Sequence, residues 1–268
     1  MNHLHPKRIV ILIRKEWAEL YKNTMLLGTV LFMPLLFAAI PIIMLWSMGD
    51  IAEGMGDVAM GLPKQMMGMC GDLSAGACSM AFLLAQFNMM FMFIPIILPA
   101  TIIPYAIVGE KTQRSLEPLL ATPISTIDLL LAKSLAAIIP AVLATWLAFG
   151  VYAIATWLLL TDQAIFAMIF QSHWLFAIFI LGPLLALLTA SLALMVSARS
   201  NEPRSAQQVA SLVLLPVVML LIGQISGMFF ITPAFTFLLG AIVLLLDIAL
   251  AWLAVKVFDR EAILTRWA

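Results

Sequence analysis

Along this chain of 268 residues, long apolar stretches alternate with short polar ones. Residues 25–46, 81–108, 134–160, 174–196, 206–223 and 235–257 each come close to or exceed the ~20 apolar residues needed to cross a hydrocarbon core. Their apolar residues fall on every side of a helix, and the two-residue alternation of a barrel strand is missing. The pattern predicts an all-α membrane protein, 1–268, with six transmembrane helices in one domain. Residues 1–24 read differently. Lys7, Arg8, Arg14, Lys15 and Lys22 stand beside Ile9, Ile13, Trp17 and Leu20, which predicts an amphipathic helix lying in the headgroup plane, with Trp17 and Tyr21 at the interface. No cleavage site follows the first apolar run in the usual place, so it is not read as a cleaved signal peptide.

Prolines and polar residues subdivide the pattern. Pro95, Pro99 and Pro104 fall in the second span, Pro140 in the third and Pro216 in the fifth, where each removes a helical hydrogen bond and predicts a kink. Residues 224–234, QISGMFFITPA, are too few to span and too apolar for an open loop, and read as a short dip into the outer leaflet. Residues 109–133, GEKTQRSLEPLLATPISTIDLLLAK, form the polar interruption richest in charge. As a helix from Thr112 to Leu120, the segment sets Leu116, Leu119 and Leu120 on one side and Lys111, Arg114 and Glu117 on another. Pro118 suits a short or broken helix and Pro123 ends it.

Composition agrees with this class. The chain is 64% hydrophobic and 10% charged, with mean hydropathy +1.10, too little polar surface for a soluble domain of this length. The net charge of zero carries less information than the distribution. Every Lys and Arg except Lys64 lies in the amino tail, the 109–133 loop, the turn at 197–205 or the carboxyl tail. Six spans put these four regions on one side, and the positive-inside rule makes that side the cytoplasm.

Candidate chemistry is sparse. The chain has no phosphate-binding G-x-x-x-x-G-K-[ST] loop, no H-E-x-x-H, no C-x-x-C and no nucleophile elbow. It is therefore read as binding no cofactor of its own and as no enzyme, and nothing in it points to nucleic acid. His3, His5 and His173 are scattered and read as solvated. Asp247, in the middle of the sixth span, costs about 2.5–3.5 kcal/mol to insert. Gly240, Ala251 and Ala254 share its face, which suggests packing against protein. The carboxylate reads equally as an ion or substrate contact and as a packing group. Gln86 and Asn88 in the second span, Gln207 and Gln208 at the start of the fifth, and Gln224 are the other polar groups near the membrane. The 47–80 loop is acidic and rich in Met. Its sulfurs could hold Cu(I), but an apolar loop resting on the membrane is the better reading. Cys70 and Cys78 would face an oxidising compartment, where a disulfide between them is plausible.

The run EKTQRSLEPLLATPIS resembles the loop between the second and third spans of ABC-2 type transporter permeases, which tends to read EKERGTLEPLLATPVS. The likeness holds at Glu110, Lys111, Leu116, Glu117, Pro118, Leu119, Leu120, Thr122, Pro123 and Ser125. Arg114 stands where the family often has Gly, so the local turn differs. RKEWAEL with Asn23, and FDREAILTRW at the end of the chain, also look like this family's terminal segments. The resemblance implies a membrane subunit paired with a second copy or a paralogue and driven by a separate ATPase that carries ATP and Mg. It also implies that Glu110, Lys111, Arg114 and Glu117 dock on that ATPase. Leu116, Leu119 and Leu120 would then pack on the membrane domain. In the family, spans two and five line the path, which puts Gln86, Asn88 and Gln224 near it, with Asp247 a further candidate. The expected substrate of such an exporter in the cytoplasmic membrane is amphipathic or lipid-like, or a drug. Sodium-type ion export and a scaffold or sensor subunit without transport are the alternatives.

Overall fold

The computed structural model describes residues 6–52, 75–112, 126–160, 165–167, 170–226, 228 and 231–257, and every element among them is helical. An amphipathic helix, α1 (Pro6–Lys22), comes first. Six helices long and apolar enough to cross a membrane follow among the described residues. They are span one (Thr24–Ser47), two (Ala81–Lys111), three (Ile127–Leu159), four (Ser172–Arg199), five (Pro203–Ile225) and six (Pro233–Leu253).

Helix starts follow local sequence. The Asn23 side-chain oxygen accepts the backbone N–H groups of Met25 and Leu26 at 3.1 and 3.3 Å, capping span one and separating it from α1. Thr232 caps span six through the Phe235 N–H at 3.3 Å, with Pro233 in the first turn, where its missing N–H costs nothing. Pro203 opens span five in the same way. Span three begins earlier than the expected 134. Its helix starts at Thr126 with Asp128 in the first turn, where a carboxylate favours the helix dipole. Span five continues through Gln224 to Ile225. The N–H groups of Ser226 and Met228 then bond back to Ile222 and Gly223 at 2.9 and 3.0 Å. Of the segment 224–234 expected to dip into the outer leaflet, residues 227, 229 and 230 lie outside the described residues, and the described ones hold the end of span five and the start of span six.

Prolines break three spans at matching points. Pro95 has no N–H for the carbonyl of Phe91, and the chain tightens to a 3₁₀ turn at Phe91–Phe93. Pro216 stands in the same relation to Leu212 and follows a 3₁₀ turn at Ser211–Val213. Pro183 follows a π turn at Ala177–Leu181, so each break lies within one turn before its proline. Pro99, Pro104 and Pro140, expected to kink their spans, lie inside unbroken helix.

Span two is the centre of the bundle. It packs on spans three and four and on the first half of span five, while span one packs on three and span six on four. Of its most apolar stretch 78% is buried, against 22% for spans five and six. No extensive contact joins spans five and six among the described residues.

Candidate functional site

The charged residues at the loop-bearing end are gathered, not scattered. On α1 the buried stripe is Leu12, Ile13, Glu16 and Leu20, so an acid occupies an apolar position. Glu110 continues the buried series Ile103 and Ile107 of span two, and Lys133 lies between Leu129 and Ala136 on the buried side of span three. The three chains of neighbours meet. Lys133 Nζ reaches Glu16 Oε1 and Glu110 Oε2, both at 2.8 Å, and donates to the Ala106 carbonyl at 3.2 Å. Lys15 pairs with the other Glu110 oxygen and lies 3.3 Å from Glu19 and 3.8 Å from Glu16. Glu110 and Lys133 are 7% and 4% exposed, so these are mutually satisfied interior charges. Burial alone would lower the affinity of Lys15 for its proton, but the hydrogen bond and charge of Glu110, with Glu16 and Glu19, outweigh it and raise its pKa above 10.5. Oxygens of Glu16, Glu19 and Glu110 lie within 4.8 Å of one another, a spacing open to a metal. Lys15 and Lys133 already occupy the positions a cation would take.

Lys111 points the other way. Its ammonium donates to Asn201 Oδ1 at 2.7 Å and to the Ser200 carbonyl at 3.4 Å, on the turn between spans four and five. Gln207 Nε2 donates to Thr101 Oγ1 at 3.1 Å, a second tie between spans five and two. Glu110, expected to dock on the ATPase, has its carboxylate turned to Lys15 and the buried Lys133 within the permease. Arg114, Glu117, Pro118, Leu119 and Leu120, the rest of the expected docking segment, lie outside the described residues, as does Cys70. Cys78 is buried and disulfide-bonded.

With the six spans and this loop-bearing end on the page, the comparison with known families decides the class. The sequence model of the ABC-2 family transporter proteins matches residues 10–255. The chain belongs to the ABC-2 transporter family. No curated protein matches its sequence. The protein is accordingly a multi-pass membrane permease subunit of an ABC transporter.

Within the spans the permease buries Gln86, Asn88, Gln224 and Asp247, all expected near the path. Gln86, Gln224 and Asp247 hold side-chain oxygens without a hydrogen-bond partner among the described residues. Asp247 shares the buried stripe of span six with Thr236, Gly240 and Val243, whereas Ala251 is exposed. The expected small-residue face is therefore shorter and is turned toward span four. His173, expected to be solvated, is buried with its ring 5.2 Å from that of Trp174, because span four begins at Ser172.

A cavity of about 550 Å³ fills the gap between spans five and six. Met92 of span two and Leu185 of span four form its floor, and Val217 and Leu239 stand on its opposite walls. Thr236 brings the one hydroxyl to its lining. Residues of all three proline-linked breaks line it, among them Met92, Leu181 and Val213. On span six the lining runs from Phe235 to Leu250, about 22 Å at the helical rise. No signal in the sequence placed this cavity, since every span is equally apolar.

Proposed function

We propose that this permease exports an amphipathic, lipid-like substrate across the cytoplasmic membrane, driven by a separate ATPase subunit and paired with a second copy or a paralogue. The observation that carries the substrate class is the apolar cavity between spans five and six. Its volume falls in the range of small-molecule sites. Its length of about 22 Å exceeds the half-thickness, about 15 Å, of the hydrocarbon core, so it can take a whole alkyl chain. Its walls offer a hydrocarbon chain what the bilayer offers, with the Thr236 hydroxyl as a polar mark.

The asymmetry of Lys and Arg supports cytoplasmic termini and a cytoplasmic 113–125 loop. In this reading Arg114 and Glu117 meet the ATPase and Leu119 and Leu120, flanked by Pro118, pack on the membrane side, while ATP and Mg stay on the partner. ATP-driven closure of the partner then rocks the spans between two states. The first test is co-purification with the candidate ATPase, comparing wild type with Glu117→Arg. Association together with ATP turnover stimulated by a fluorescent phospholipid, both reduced by the substitution, supports the reading. No association with any ATPase would favour a scaffold.

One observation favours a second substrate class. The Asp247 carboxylate, 2% exposed, has no hydrogen-bond partner among the described residues, and an intramembrane acid of this kind marks an ion pathway. Sodium or proton movement abolished by Asp247→Asn, with phospholipid stimulation intact, would establish ion export in place of lipid export.

A further inference from the structure

Two joints hold α1 in place, and they are built from different chemistry. The joint with span three is apolar: Leu12 and Ile13 pack on Leu129, Ala132 and Ala136. Trp17 Nε1 completes it by donating to the Ala136 carbonyl at 3.0 Å. Span three also packs on span two along the bundle, but at the end of span two the ties to α1 and to Lys133 are made by charges, with Glu110 held between Lys15 and Lys133. A cavity of about 650 Å³ runs along that second joint, with Trp17 and Leu20 on one side and Tyr105 and Glu110 on the other. The end of span two therefore has space beside it.

We propose that Lys15, Glu110 and Lys133 form an ionic seam that parts and closes during the transport cycle, so that α1 and span three move as one body against the end of span two. The proposal rests on the reading of the chain as an ATP-driven permease. It makes Glu110 and Lys133 positioning residues of energy coupling. Separated carboxylates and ammonium groups are well hydrated, so a seam of charges beside a cavity has two acceptable states. Parting the apolar joint would instead expose Leu12, Ile13 and Leu129 with no compensation. The arrangement around the loop fits this division. Glu110 ties the end of span two to α1 and span three, while the adjacent Lys111 ties it to Ser200 and Asn201. A push on the 113–125 loop thus meets a branch point two residues before the loop begins.

The test bridges the seam. Lys22→Cys at the exposed end of α1 and Gly109→Cys on span two line opposite sides of the cavity. A Cβ at 109 meets nothing within 4 Å, so both cysteines fit the folded protein. In the assembled complex with its ATPase, a short bifunctional thiol reagent is expected to lower ATP turnover about tenfold, the scale of a typical coupling between sites. A monofunctional reagent on the same cysteines should leave turnover unchanged, and the double variant Glu110→Gln with Lys133→Met should assemble yet lose the permease's stimulation of the ATPase. Full turnover in the bridged complex would overturn the seam. If the untreated protein associates with no ATPase, the permease reading itself fails. The seam is then read on the permease alone, from spin labels at the same two positions. Two distance populations that shift with salt support it, and one narrow population that ignores salt removes it.

Discussion

Span two and span six are alike as sequence and opposite as structure. Both are long, apolar on all sides and marked by an acid, Glu110 in one and Asp247 in the other. Span two is packed around its circumference, and its acid is held by two lysines. Span six buries one stripe, Thr236, Gly240, Val243 and Asp247, and turns its other faces outward. The difference teaches that in a bilayer an apolar surface does not choose its neighbour, since lipid serves as well as protein. Polar groups and close packing decide which helix becomes the centre.

The comparison breaks most visibly in packing. Phe91 is fully buried, with rings of Phe149 and Tyr152 at 5.8 and 5.4 Å. Phe91→Ala should destabilise the permease by about 3 kcal/mol, the lower end for losing a buried aromatic, because part of the transfer term vanishes in lipid. Leu245, 67% exposed on span six, should shift stability by less than about 0.5 kcal/mol when changed to Ala. Thermal midpoints in one detergent would compare the two. Equal losses would mean that span six is as tightly packed as span two, through a surface covered by a second copy.

A smaller effect tests the acid of span two. Because Glu110 and its neighbours raise the Lys15 pKa above 10.5, the stability Lys15 contributes is complete below 10.5 and is lost as pH rises past its raised value. The thermal midpoint of wild type should therefore hold through pH 10 and fall above 10.5. Glu110→Gln removes the largest favourable partner of Lys15, so its fall should begin at lower pH. Coincident midpoint–pH curves for the two proteins would show that Glu110 does not hold Lys15.

How much of this was legible follows from the same physics. The six spans and α1 rest on length, apolar runs and charge asymmetry, and the family likeness on the run EKTQRSLEPLLATPIS, all of which a sequence displays directly. The ionic cluster was legible in principle. Glu16 follows Ile13 by three residues and precedes Leu20 by four, a charge on an apolar stripe, and Lys133 repeats the device between Leu129 and Ala136. Assigning Lys133 to a loop that ran on to residue 133 hid it, since a loop lysine needs no partner. The proline breaks at Pro95 and Pro216 were expected. Pro99 and Pro104 lie inside continuous α-helix, and no signal in the sequence separates them from Pro95. The cavity between spans five and six had no sequence signal, since its lining and the lipid-facing residues are the same types.

The finest distinction concerns glycines on the buried stripe. A Cβ built at Gly240 would lie 3.0 Å from Cε1 and Cζ of Phe176, a ring already packed on Phe237 with centroids 4.6 Å apart. Phe176 must move by a few tenths of an ångström to admit a methyl group, against a neighbouring ring that limits the shift. At Gly150 of span three a Cβ meets nothing within 4 Å, and alanine there gains helix propensity, at most about 1 kcal/mol. Gly240→Ala gains the same propensity but adds overpacking of about 1–3 kcal/mol, so it should lower the thermal midpoint where Gly150→Ala raises it. Because Gly240 lies on the same stripe as Asp247, the substitution also tests how firmly span six is seated on span four. A midpoint that rises in both variants would mean that span six rides loosely on span four, and that only span two is fixed in place by its neighbours.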